Sequence, residues 1–251
     1  MDNDFLEKII FAEHNFPKLF SNVQYTDYGI LFFNEKIKVS HDSNHTIIND
    51  YISYNYSQVI DKIVAFYESK VITPRIYSSL TYGQLAKLEK LFLEKNFVVE
   101  KYINNWLVHR SKCSINEPRT LIIERINNDY KIINMTKFYD NKWEFPLLKR
   151  KIENKDYHFF TGYENNIPVS IAAIQYIGDI GRIDDIETKT AYRRRGYSRQ
   201  MIRHIVEYHQ KNNDNKILYL WYNNPTAGKI YKEAGFIDLE NNFESWTAYK
   251  K

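Results

Sequence analysis

The turn Arg193-Arg194-Arg195-Gly196-Tyr197-Ser198-Arg199 holds the residues whose types and spacing best suit chemistry. It follows a strand-like stretch that contains Asp184 to Thr188 and opens onto a helical run reaching Gln210. A helix start presents backbone N–H groups without intrahelical partners and the positive end of the helix dipole. Both favour a phosphate group. Gly196 lets the backbone approach a ligand closely, and Ser198 is small enough to do nearly the same. The arginines can pair with phosphate oxygens. By spacing alone the turn could also be a solvated basic loop before an ordinary helix, since a short glycine motif is weak by itself.

The elements that must position this turn are legible around it. Met201, Ile202, Ile205, Val206 and His209 form one apolar stripe on the helix after the turn. Ile217 to Tyr222 is an unbroken apolar run, as expected of a central strand covered on both faces. Next comes a compact helix signature. Asn224 suits the N-cap, Pro225 the first helical position, Ala227, Ile230, Tyr231 and Ala234 the buried stripe, and Gly235 the left-handed exit. Earlier strands are expected at 121–126, 158–163 and 169–177, with Glu164-Asn165-Asn166 as a hairpin turn, and helices at 130–139 and 144–152.

The two segments together, Arg193-x-x-Gly196-x-Ser198 and Asn224-x-x-Ala227-x-x-Ile230-Tyr231-x-x-x-Gly235-Phe236, resemble the GNAT superfamily of acyl-CoA-dependent N-acyltransferases. The first is similar to that family's pyrophosphate loop, with Ser198 where the family prefers Gly or Ala. The resemblance covers about residues 118–251. It implies an α/β fold with a mixed, mostly antiparallel central sheet flanked by helices, and acetyl-CoA as cosubstrate. It also implies roles. Ile186, Glu187 and Thr188 would be the strand edge that meets the pantetheine arm and thioester carbonyl. Arg193, Arg194, Arg195, Gly196, Tyr197, Ser198 and Arg199 would hold the pyrophosphate. Asn224 and Thr226 would meet CoA near its reactive end, and Tyr231 would protonate the departing thiolate.

An alkylamine acceptor has a pKa of about 10.4, so a carboxylate must take its proton, directly or through water. Asp184, Asp185 and Glu187 are the candidates. Ile183 and Ile186 are three apart, which would put them on opposite faces of a regular strand. A β-bulge at Asp184-Asp185 would restore them to one face. The aspartates also stand where the spermidine/spermine N-acetyltransferases carry an acidic pair. Equally, all three could be exposed edge carboxylates. The resemblance implies direct transfer in a ternary complex. A catalytically silent CoA-binding or sensing module, and a tandem aminoacyl transferase of related fold, are the alternatives.

The first half reads as a worn copy of the second. Leu91-Phe92-Leu93-Glu94-Lys95-Asn96-Phe97 lines up with Ile230 to Phe236, with Phe92 at the place of Tyr231 and Asn96 at that of Gly235. Trp106 follows Phe97 as Trp246 follows Phe236. Nothing before residue 118 has the arginine–glycine spacing. The polar stretch Ser111 to Pro118 suggests a boundary, giving a degenerate GNAT-like domain at 1–115 without a CoA site and a catalytic domain at 118–251. The first would shape the acceptor site or a subunit contact, so a homodimer is among the expectations.

Composition bounds the rest. The 251 residues are 43% hydrophobic and carry a formal net charge of +4, mild for a nucleic-acid binder. Nucleic acid is not expected as a partner; a small-molecule or peptide amine is. Cys113 is the single cysteine and excludes an internal disulfide. With no histidine arranged to activate it other than His109, it does not suggest a covalent intermediate. His41 and His45 lie in a polar turn and suggest a loop rather than a metal site. No apolar run approaches the ~18 residues of a membrane span, and Met1 to Asp4 lacks a basic signal-peptide region, so a cytoplasmic protein is expected. Tyr139, Trp143 and Phe145 could wall an acceptor pocket or serve as core.

Overall fold

Alternating and continuous apolar runs make the strands, and amphipathic stripes make the helices that cover them. The computed structural model describes residues 3–50, 55–116, 118–127, 132–133, 135–139, 143–240 and 243–251. The first elements are α1 (Asn3–Asn15), β1 (Asn22–Thr26), β2 (Gly29–Phe33), β3 (His45–Ile48), α2 (Tyr56–Glu68), β4 (Arg75–Tyr77), α3 (Gln84–Glu94) and β5 (Phe97–Tyr102). Then come β6 (Asn105–His109), β7 (Ile122–Ile126), α4 (Glu144–Ile152), β8 (Tyr157–Glu164), β9 (Ile167–Ile177) and β10 (Ile180–Thr188). The last are α5 (Tyr197–Asn213), β11 (Ile217–Tyr222), α6 (Pro225–Glu233), β12 (Phe236–Asp238) and β13 (Ser245–Lys250). The helix expected at 130–139 falls partly outside the described residues; Met135–Lys137 is a 3-10 turn.

The strands form two mixed sheets, ordered β1-β2-β3-β4-β13-β5 and β12-β6-β11-β10-β9-β8-β7. Each holds one parallel pair, β3 with β4 and β10 with β11, and the remaining pairs are antiparallel. Read from the parallel pair outward, the two sheets have the same sequence of strand directions. The helices repeat too: α2 and α5 each cross between the parallel strands, and α3 and α6 each follow the second of them.

The compact units are not the contiguous halves expected. One is Met1–Asn104 with Asn241–Lys251, the other Asn105–Glu240. Two strands account for the difference. β6, from the first half of the sequence, lies between β11 and β12, and β13, from the second half, lies between β4 and β5. Each unit has its own core. Leu31, Ile48, Ile60, Ile76, Leu88, Phe92 and Trp246 belong to the first; Leu107, Ile174, Ile183, Met201, Ile205, Leu220 and Phe236 belong to the second. The left-handed exits expected at Asn96 and Gly235 are both present, with φ of 60° and 96°. At Gly235 a Cβ would lie 2.2 Å from the Ser111 carbonyl oxygen, so glycine is required there twice over.

Candidate active site

The bulge in β10 forms. Pairing with β9 runs to Asp184–Ala173 and resumes at Glu187–Ile171, so one extra residue is inserted, and Asp185 takes a φ of 50°. Ile183 lies in the second unit's core and Ile186 packs against it, on the same face as expected.

The bulge delivers both aspartates into a charged cluster rather than to an open edge. Lys151 of α4 is buried and places Nζ 2.9 Å from Asp184 Oδ2 and 2.8 Å from Asp185 Oδ2. Arg182 Nη1 lies 2.7 Å from Asp184 Oδ1. The Tyr157 hydroxyl donates to Asp185 Oδ2 at 2.5 Å. Burial opposes ionisation of Asp184, but the Lys151 and Arg182 cations outweigh it and hold the carboxyl at about 2. For Asp185, burial and the Asp184 charge win, and its pKa is raised. Burial works against the Lys151 ammonium, yet the two carboxylates more than compensate and raise its pKa. As proton acceptors at neutral pH, then, the aspartates are poor candidates: Asp184 is held ionised by two cations, and Asp185 already shares Lys151 and Tyr157. Glu187 is exposed on the same strand. Tyr139 lies near these acids; burial first, then Asp185, Glu144 and Glu187, push its hydroxyl well above the usual phenol range. Trp143 and Phe145 are half-buried at the start of α4.

On the other side of β10, the sheet opens before the bulge is reached. The parallel ladder of β10 and β11 runs only from Ile180–Ile217 to Arg182–Tyr219, although β10 continues to Thr188 and β11 to Tyr222. From there Ile186 to Thr188 keep β9 on one side while β11 departs on the other. The Thr188 hydroxyl lies 2.8 Å from Ser170 Oγ and 3.0 Å from Ser198 Oγ. The hydroxyl at Ser198, the departure from the family pattern, thus joins a chain that ties the loop to β9 and β10.

The loop itself ends in Gly196, at φ 78°, and α5 begins at Tyr197 with no side chain capping it. Its first N–H groups therefore lack a partner from the helix or from a cap. Arg193 and Arg194 are exposed, and Arg193 Nε donates to the Thr188 carbonyl at 3.0 Å. Arg195 and Arg199 are already engaged. Arg195 sits 5.0 Å over the Tyr192 ring and 3.2 Å from Glu164, which also accepts a hydrogen bond from the Tyr197 hydroxyl. Arg199 makes two bonds to Glu233, at 2.8 and 3.2 Å.

Asn224 caps α6 as expected, accepting from the Thr226 N–H at 2.9 Å, and Thr226 is exposed. Tyr231 is half-buried, edge-on to Tyr222 at 6.1 Å, and burial pushes its hydroxyl up to about 12. Such a phenol stays protonated at neutral pH and can give a proton but not take one. A Cβ at Gly228 would lie 2.2 Å from the Tyr222 ring, so the glycine makes room for that ring. A cavity of about 700 Å³ opens beside α6, lined by residues that include Asn105, Tyr222, Gly228, Lys229 and Lys232.

Lys151, Arg182, Tyr157, Glu164 and Ser170 escaped the sequence reading. One signal was present for Lys151: it stands three residues after Leu148, which is buried on the same helix. Among the described residues, no group of three or more His, Cys, Asp and Glu side chains could hold a metal ion, and no helix is long and apolar enough to cross a membrane.

Comparison with known proteins gives a family match and neighbours in fold. The acetyltransferase (GNAT) family model matches residues 122–236. No curated protein matches the chain. Among solved structures, a GCN5-related N-acetyltransferase from Kribbella flavida superposes with a TM-score of 0.69 at 10% identity, covering 97% of this chain and 94% of that one. A functionally unknown conserved protein from Staphylococcus epidermidis gives 0.62 at 15% identity, covering 92% and 94%. A GCN5-related N-acetyltransferase-like protein from Streptococcus suis gives 0.57 at 10% identity, covering 92% and 88%. Matches that span nearly all of both chains mean that the fold of both units recurs together. Residues 122–236 are a GNAT-family acetyltransferase domain, and the chain that carries it is an acyltransferase.

Proposed function

We propose that the second unit transfers an acetyl group from acetyl-CoA directly to a primary amine, with both substrates bound together. The observation that carries this reading is the uncapped start of α5 at Gly196, beside exposed Arg193 and Arg194 and next to the place where β10 and β11 part. The diphosphate of CoA suits the N–H groups that open α5 and the arginines beside them. Its amide-bearing arm suits the strand edge of Ile186, Glu187 and Thr188. Backbone N–H groups there would stabilise the oxyanion.

Tyr231, kept protonated by burial, is the acid for the departing thiolate. Asn224 and Thr226 would stand near the thiol end of CoA. One of Asp184, Asp185 and Glu187 takes the amine proton, directly or through water; Glu187 is the exposed one of the three. The acceptor is a small molecule or the amine of a peptide, and the protein acts in the cytoplasm.

Thiol release from acetyl-CoA across a panel of amines tests the reading. Release that depends on an amine supports it, and hydrolysis alone or no release with any amine overturns it. Acetyl-CoA at 100 times its Kd should also stabilise the fold by about 2.7 kcal/mol. A thermal shift without turnover would favour the silent CoA-binding alternative.

A further inference from the structure

The cluster around Lys151 bears on which amines the enzyme accepts, an inference that rests on the amine reading above. Two carboxylates lie directly before the strand edge at Ile186 to Thr188. Left alone, such a pair would attract any ammonium group near the acyl-transfer edge. Here the chain supplies its own. The Lys151 ammonium bridges one oxygen of each aspartate, Arg182 takes the second oxygen of Asp184, and Tyr157 shares the oxygen of Asp185 that Lys151 holds. Lys151 is 6% exposed and reaches the pair from α4, a separate element, so the contact is tertiary rather than a local accident of β10. Displacing it would strand a buried ammonium without its counter-ions, a cost that an incoming amine must offset before gaining anything.

We propose that Lys151 is a resident counter-ion that closes the acidic pair to acceptor cations and so selects amines whose only positive charge is the reacting one. A diamine would bring its second ammonium towards a pair that Lys151 already bridges, and would gain less from it than it loses in desolvation. Lys151 thereby sets specificity without touching the reacting atoms.

Two measurements test this. The first compares n-butylamine with butane-1,4-diamine as acceptors for the wild-type protein, by kcat/KM. The diamine should be poorer by about tenfold, and a wild type that prefers the diamine overturns the proposal. In Lys151→Ala the ratio should reverse. The second needs no turnover. Lys151→Ala should melt lower than wild type, and n-butylammonium chloride should restore part of the loss. Sodium chloride at equal ionic strength should not, and neither salt should stabilise wild type. Absence of a cation-specific rescue, or the same rescue in wild type, overturns the proposal. If Lys151→Ala does not fold, the wild-type acceptor ratio decides. If no amine is acylated at all, the reaction assigned above fails, while the melting experiment still reads the role of Lys151.

Discussion

At the matching place in the two units, one helix begins open and the other closed. The open one is α5, which starts at Gly196 with no side-chain cap. α2 starts at Asn55, whose Oδ1 accepts from the Ser57 N–H at 2.8 Å. Just past the parallel ladder of β3 and β4, the buried side chain of Gln84 accepts from the Ser79 N–H at 3.0 Å and donates to the Ile48 carbonyl at 2.9 Å. Past the ladder of β10 and β11 the strands simply part. Where the second unit has the half-buried hydroxyl of Tyr231, the first has Phe92, fully buried and 5.5 Å from Trp246. The first unit thus meets with its own side chains backbone groups at this end of the sheet, where the second unit shows no side-chain cap at Gly196. On the reading proposed above, one fold serves as scaffold or as site according to a handful of side chains at one end of the sheet.

The largest expected effect breaks the comparison outright. Deleting residues 245–251 removes the strand between β4 and β5, and the fragment 118–251 lacks β6, the strand between β11 and β12. Neither should show cooperative unfolding of a native sheet by circular dichroism; a fragment that folds would show the exchange to be dispensable. Next, Tyr231→Phe, which makes the second unit like the first, should lower turnover by about 10²- to 10⁴-fold with little change in acetyl-CoA affinity. The reciprocal Phe92→Tyr should leave turnover alone and destabilise the protein by about 2 kcal/mol, because it buries a hydroxyl. Unchanged turnover in Tyr231→Phe would assign the acid elsewhere.

Smaller effects sharpen the contrast. Gln84→Ala strands two buried backbone groups and should cost about 2 kcal/mol of stability in urea melts, with kcat unchanged. The smallest concerns His45, which burial holds neutral with a pKa of about 4. Its folded value lies below its unfolded one, so the unfolded chain binds more protons as the pH drops from 6.5 towards 4. Stability is therefore lost on the acid side, by about 1 kcal/mol between pH 7 and 5.5. His45→Gln should flatten that slope, and an unaltered slope would place its origin at another group.

Much of the site could be read in advance because local rules determine it. The Ile183–Ile186 spacing pointed to a bulge, and Asn224-Pro225 to a helix start; both are present. What escaped was tertiary. The run Lys149-Arg150-Lys151 reads as a solvated helix end, and only folding brings one member under β10. The boundary drawn at the polar stretch 111–118 missed the exchange because β6 and β13 are near equivalents. Trp106 and Trp246 hold matching positions in these strands, so pattern alone does not assign them to one sheet or the other.

On the ribosome, this interchangeability becomes a matter of timing. The slot between β4 and β5 exists once residue 102 has emerged, but its native occupant is made only after the whole second sheet. The strand synthesised next is β6, which carries Trp106 where β13 carries Trp246 and is expected to compete for the slot. The nascent chain therefore has a ready wrong answer before the right one exists, and every molecule that takes it must later release β6 to complete either sheet. Long-range pairings of this kind fold slowly and favour trapped intermediates.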